Sequence, residues 1–242
     1  MTAPEIHDPI LARHLADAQS RIDAACHRSD REPSAITLIA VTKFFPAETI
    51  RKACALGLAH IGENRVQELV DKFGDGELLR ESPPLVVHLI GHLQSNKVRK
   101  AVQIAATIDS VDSLELAELI ERDAAQMGKK LRILIEVNTS GEPQKYGISP
   151  EKAIERVERM LPFDHLDIAG LMTIGPNLTE GEAIRRSFRL LRATFEDVRA
   201  KLNPPNWTAL SMGMSGDYEI AIEEGATEIR LGTALFGPRR NL

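Results

Sequence analysis

Eight short apolar runs, most of them rich in Val and Ile, divide this chain at regular intervals. They fall at residues 36–42, 59–62, 86–90, 106–110, 132–137, 166–172, 208–211 and 228–232. Each reads as continuously apolar, the mark of a strand buried on both faces. Helical patterns lie between them at 47–56, 64–73, 95–104, 113–127, 150–160, 180–202 and 217–224. An amphipathic helix from about Ile6 to His27 comes first. Strands alternating with helices predict a parallel sheet covered by helices. Eight such units in 242 residues fit an α/β fold of one kind, a closed (β/α)8 barrel, better than an open sheet.

An open doubly wound sheet also wants a glycine-rich phosphate turn after its first strand. That turn here is TKFFPAE, without glycine, so the dinucleotide and phosphate-loop patterns are both missing. Local punctuation supports the divisions. Pro46 stands near a helix start, where its missing N–H costs nothing. Asp112 or Ser113 can cap the helix that follows, and Gly128 ends it. Ser149 before Pro150 marks a similar start. No linker, low-complexity tract or internal repeat interrupts the alternation, so one domain over residues 1–242 is the economical reading.

Composition excludes several functions. The formal charge is -5, from 30 basic and 35 acidic residues, with no basic run, which gives nucleic-acid binding little electrostatic support. Ten aromatic residues make a base-stacking platform a poor fit. The two cysteines, Cys26 and Cys54, show neither CxxC nor zinc spacing, which fits a reducing compartment. The N-terminus has early acids and no apolar core of a signal peptide, and no run is long enough to span a bilayer. The cytoplasm is the expected location.

In a (β/α)8 barrel the active site is built at the C-terminal strand ends. The first run, ITLIAVT, leads directly to Lys43, and lysine is rarely buried without a partner. Later strand ends offer Glu63, Asn64 and Arg65; His88 and His92; Asp109; Lys145; Met172 and Thr173; then SMGMSGDYE and RLGTALFG. Barrels bind phosphate with the loops after strands seven and eight. Ser215 and Gly216 supply a hydroxyl and backbone N–H groups at a helix start, where the dipole favours an anion. Gly232 and Thr233 let the backbone come close to a ligand. Either motif alone reads as a cap or a turn, and the two together point to a phosphorylated ligand.

A desolvated lysine facing such a site yields the neutral amine that attacks carbonyls. Two ligands fit that reading: pyridoxal 5′-phosphate as a cofactor, or a sugar phosphate in a Schiff-base aldolase. Arg230 beside the loop can bind phosphate or face a pyridine nitrogen. An aldolase also needs an acid–base carboxylate, for which Glu63, Asp109 and Glu136 are available. His88 and His92 lack a third metal ligand. Met172 reads as core or as packing against a ring. Lys52, Lys97, Lys100 and most other lysines read as solvated faces.

The segments LIAVTKFFP, HIGENRVQE, HLIGHLQSNK, IDSVDS, VNTSGEPQKYG, GLMTIGP and LSMGMSGDYEIAIEEGATEIRLGTALFG are similar to those of the pyridoxal phosphate homeostasis proteins. That family resembles the barrel domain of alanine racemase. The resemblance runs from about Ile36 to Gly237 in the right order. It implies a (β/α)8 barrel holding pyridoxal 5′-phosphate, with an added N-terminal helix and without the racemase C-terminal β-domain. The Schiff-base lysine falls on Lys43. The phosphate ligands fall on Ser215, Gly216, Gly232 and Thr233, and the arginine near the pyridine nitrogen on Arg230. Asn64 and His92 fall on positions lining the ring. Gly216, Leu89 and Tyr146 depart from residues common in relatives.

The resemblance further implies a protein of vitamin B6 balance, with no established reaction and with apo-enzymes as candidate recipients. A racemase's second acid–base tyrosine has no obvious source, and the missing dimerisation domain favours a monomer. A racemase-like enzyme and a protein–protein regulator remain the other function classes. Lys145, between glycines at 141 and 147, is expected to be a flexible amine that guides the cofactor during loading or release.

Overall fold

The computed structural model describes residues 8–81, 85–177 and 180–238. Eight strands form one closed parallel barrel: β1 (Thr37–Val41), β2 (His60–Glu63), β3 (Val86–Leu89), β4 (Thr107–Val111), β5 (Leu131–Glu136), β6 (Leu166–Met172), β7 (Ala209–Met214) and β8 (Glu228–Leu231). Each strand pairs with the next, and β8 returns to β1 with Ala40 opposite Leu231. The expected barrel is thus the observed fold. The largest strand difference is at β7, which continues three residues past the expected end at 211. Gly213 at φ +95° and a register shift between Ser211 and Met214 carry the strand on to the mouth.

The helices are α1 (Pro9–Arg28), α2 (Ala47–Ala55), α3 (Val66–Phe73), α4 (Glu77–Glu81), α5 (Val98–Ile104), α6 (Leu114–Gln126), α7 (Ala153–Met160), α8 (Gly181–Leu202), α9 (Tyr218–Glu223) and α10 (Thr233–Phe236). The expected start of α1 at Ile6 lies outside the described residues. Asp8 caps that helix, accepting from the Ile10 and Leu11 N–H groups at 3.2 and 3.0 Å, and Pro9 follows it. The cap of α6 is Ser113, which accepts from the Leu116 N–H at 3.3 Å. The patterns expected at 95–104 and 150–160 each begin with a 3₁₀ turn, Ser95–Lys97 and Pro150–Lys152. The short α4 and α10 were not expected, because five and four residues carry no readable period.

Strand alternation sorts the core into two layers. Outward residues such as Ala40, Ile61, Leu89 and Leu231 join the apolar layer under the helices. Inward residues fill the barrel: a methyl group on Gly62 would come within 3.0 Å of Ile39 and 3.2 Å of Ile90. Part of the interior below the mouth is polar. The carboxylate of Asp109 only accepts, so His88 Nδ1 donates to it at 3.0 Å, and His88 Nε2 meets His60 Nδ1, also at 3.0 Å. Arg132 pairs with Glu228 at 2.6 Å. Burial pushes His60 down to about 4, which keeps it neutral near pH 7.

The first helix closes one side of the barrel. It buries Leu11, Ala18, Ile22, Ala25 and Cys26 against the rest of the chain. Arg21 and Arg28 on its outer side pair with Glu219 and Glu223 of α9. So α1 braces the helix that follows the β7 loop. Among the described residues, no helix is long and apolar enough to cross a membrane.

Candidate functional site

The strand order carries the site. Strands β7, β8, β1, β2 and β3 are successive neighbours, so their C-terminal loops form one arc of the rim. Ser215 follows β7, Arg230 to Thr233 end β8, Lys43 follows β1, Asn64 follows β2, and His92 follows β3.

The loops after β7 and β8 meet at a hydroxyl. Ser215 Oγ accepts from the Gly232 N–H at 3.2 Å and from the Ala234 N–H at 3.1 Å. Three groups able to hold an anion therefore converge at the start of α10. A methyl group on Gly216 would meet nothing within 4 Å, so the space beside that residue is open. Gly213 is required at the turn: its φ is positive, and a side chain would come within 2.5 Å of Ala221. Asp217 locks the loop by accepting from the Met214 N–H at 2.6 Å. Ala234 was not singled out from the sequence, since a backbone donor leaves no trace in residue type.

Arg230 is 4% exposed and held by neutral oxygens. It donates to Ser211 Oγ and to the Thr173 carbonyl, both at 2.7 Å. Burial pulls its pKa down, and the more distant Asp109, Asp217, Glu136 and Glu228 oppose that pull. The buried carboxylates Glu228 and Glu63 pair elsewhere, Glu228 with Arg132 and Glu63 with Lys72. A buried guanidinium with neutral partners is suited to face a polar atom of a ligand.

Lys43 comes two residues after the end of β1, in a turn, and is half-buried. Val41, its inward-facing predecessor, lies against Gly232: a methyl group there would be 3.6 Å from the Val41 carbonyl oxygen. The lysine therefore starts beside the Ser215 cradle. Thr42 and Phe44, on either side of it, are tied to α3 and β2. Lys72 of α3 is the agent, and it is no solvated lysine. Its side chain is 9% exposed and pairs with the fully buried Glu63 at 2.7 Å. Burial pushes Glu63 up to about 7, against the pull of Lys72 and Thr42. Glu63 lies on the outer face of β2, so it is not the mouth carboxylate an aldolase would need.

Asn64 is half-buried at the rim, and Gly91 lets the next loop approach it. A side chain at Gly91 would come within 2.3 Å of the Asn64 carbonyl oxygen. His92 lies farther out. Its Nδ1 meets Asp112 at 3.1 Å, and its ring stacks on Tyr146 with centroids 3.7 Å apart. Met172 is fully buried with Leu134, Ala169 and Ala209, in the apolar layer beneath the mouth. Lys145 is not a loose amine. It pairs with Glu142 at 2.6 Å and donates to the Gly175 carbonyl at 2.9 Å. With Glu136, Val137, Asn138, Tyr146 and Ile174 it lines a cleft of about 260 Å³. Burial and the nearby Asp112 push Glu136 up to about 7. Among the described residues, no group of three or more His, Cys, Asp or Glu could hold a metal ion.

Residues 16–240 match the family model described as alanine racemase, N-terminal domain. A pyridoxal phosphate homeostasis protein of Aquifex aeolicus is 40% identical over 226 residues, covering 93% of this chain and 97% of its own length. The chain belongs to the pyridoxal phosphate homeostasis protein family. Another family member, PipY of Synechococcus elongatus PCC7942, has been solved with PLP bound. It superposes with a TM-score of 0.82 at 37% identity, over 94% of this chain and all of that one. An alanine racemase of Clostridium difficile 630 superposes with a TM-score of 0.73 at 16% identity, over 96% of this chain and 60% of its own. That likeness shows a shared barrel. The homeostasis family and the racemases thus carry different sequences on one fold.

Proposed function

We propose that this protein binds pyridoxal 5′-phosphate in the barrel mouth and takes part in the balance and delivery of that cofactor inside the cell. The observation that carries the reading is the convergence of Ser215 Oγ with the Gly232 and Ala234 N–H groups, next to the end of β1. The donor set fits the cofactor: a hydroxyl and backbone donors for a phosphate, a buried guanidinium for a ring nitrogen, and an amine for an aldehyde. The bound PLP in PipY, a relative covered over its whole length, supports the same assignment.

In this reading Ser215, Gly216, Gly232 and Thr233 hold the phosphate, Arg230 faces the pyridine nitrogen, and Asn64 and His92 border the ring. Met172 supports the floor through the apolar layer. Lys43 holds the cofactor as a Schiff base: its nitrogen joins the aldehyde carbon, and the carbonyl oxygen leaves as water. When bound, such a cofactor supplies an electron sink. Arginine carries no proton it can give to the ring nitrogen, so Arg230 leaves that sink weak. Tyr218 is 1% exposed, its ring covered by α1 with Arg21 over it. Holding and releasing the cofactor needs only Lys43 and the cradle, which favours delivery over turnover.

Tyr146 is the observation that keeps a second reading. It places one phenol at the mouth, stacked on His92. A racemase-like reaction would exchange the α-proton of an amino acid in deuterated water, and exchange lost in Lys43→Ala would establish it. For the favoured reading, loaded protein is mixed with an apo-enzyme in the presence of a scavenger of free aldehyde. Recovery of enzyme activity despite the scavenger is expected. Recovery no better than with free cofactor would contradict delivery.

A further inference from the structure

The turn that carries Lys43 is anchored on both sides by one buried cluster behind the barrel. Thr42 Oγ1 donates to Glu63 Oε1 at 2.5 Å, and the Thr42 carbonyl accepts from Lys72 Nζ at 2.9 Å. The Phe44 N–H donates to Glu68 Oε2 at 2.6 Å. Lys72 joins the two carboxylates, at 2.7 Å from Glu63 and 3.3 Å from Glu68. Residue 42 is thus held at two atoms and residue 44 at its nitrogen, with three ionisable side chains converging on a single three-residue span.

The arrangement costs stability, which argues against a merely structural role. Phe44 has φ +67°, a left-handed conformation that bulky residues rarely adopt. Strain of this kind persists only where the surroundings over-determine it, and it concentrates at functional sites. Glu63 Oε2 and Glu68 Oε1 are buried without a partner, a second cost. A surface turn with an ordinary conformation would join β1 to α2 without either.

We propose that Lys72, together with Glu63 and Glu68, is a positioning group for the Lys43 amine. The cluster fixes the 42–44 backbone so that the lysine reaches a cofactor aldehyde while the phosphate rests in the Ser215 cradle. This inference rests on the Schiff-base reading above. Lys72 touches no part of the cofactor in it and acts through Lys43.

The test compares two ligands that share a phosphate and a ring. Pyridoxal 5′-phosphate has the aldehyde, and 4′-deoxypyridoxine 5′-phosphate has a methyl group in its place. Only the first depends on where the amine stands. Lys72→Met and Glu68→Ala are expected to weaken pyridoxal phosphate by about tenfold or more, the equivalent of 1.4 kcal/mol. Affinity for the deoxy analogue should stay within about twofold of wild type, by the same scale. Lys72→Arg, which keeps the charge and the donors, should recover part of the loss. Glu68→Ala keeps the Lys72–Glu63 pair and carries the test if Lys72→Met does not fold. Equal losses for the two ligands, or no loss for either, would overturn the inference. If wild type itself shows no preference for the aldehyde over the methyl analogue, the Schiff-base reading fails and this inference with it.

Discussion

Ser215 is the residue on which the phosphate assignment turns. Its hydroxyl gathers two backbone donors that belong to the next strand's loop. Hydrogen bonds to charged groups contribute about 1.5–3 kcal/mol. Ser215→Ala should therefore weaken pyridoxal phosphate by roughly ten- to a hundredfold, read by equilibrium titration, with inorganic phosphate a poorer competitor than against wild type. Unchanged affinity would move the phosphate elsewhere. Lys43 and Arg230 were legible in the sequence because each ends or interrupts an apolar run, and Ser215 because it lies in the loop after the seventh run, where barrels bind phosphate. Lys72 was not. It looks like one more helical lysine until the register of β2 turns Glu63 outward and the fold brings the Lys43 turn over it. The stack of Tyr146 on His92 was equally hidden, since the two residues lie far apart in the chain and meet only through loop geometry.

At the scale of elements, β2 and α3 make one pH-sensitive joint. Glu63 is pushed up to about 7 from an ordinary 4.5. The folded state therefore binds more protons than the unfolded state between those values, and this group's contribution to stability falls as pH rises through the interval. The full excursion is on the order of 3 kcal/mol. Glu63→Gln removes it. Melting curves of cofactor-free protein should show the variant gaining on wild type between pH 5 and pH 8, and a constant difference would contradict the joint. The helix α1 makes a different contribution. Ile22 is buried in the layer it shares with α9 and α10. Ile22→Ala should cost about 2–5 kcal/mol in denaturant unfolding, and a loss under about 0.5 kcal/mol, the range of ordinary surface substitutions, would mean that α1 packs loosely. Element existence was readable because short apolar runs alternate regularly with longer helical patterns. Element ends were not, as β7 shows, where one glycine conformation moved the strand end to the mouth.

For the whole molecule, barrel closure is what turns scattered motifs into a site. Residues 43, 64, 92, 215 and 230–233 are spread over most of the chain, and the pairing of β8 with β1 puts the last of them beside the first. Closure followed from the count of eight runs. The polar interior did not, because His60, Arg132 and Glu228 sit in runs that read as apolar. The shared barrel of racemases and homeostasis proteins then separates fold from chemistry: the fold positions a cradle, and local side chains decide what is done with it. The central claim is that Lys43 holds the cofactor. The direct measurement is to load the protein with pyridoxal 5′-phosphate, reduce it with borohydride, and map the peptides by mass. The account predicts a bleached visible band and a reduced cofactor on the peptide containing Lys43, absent in Lys43→Ala. A label confined to another lysine, or no label at all, would contradict it.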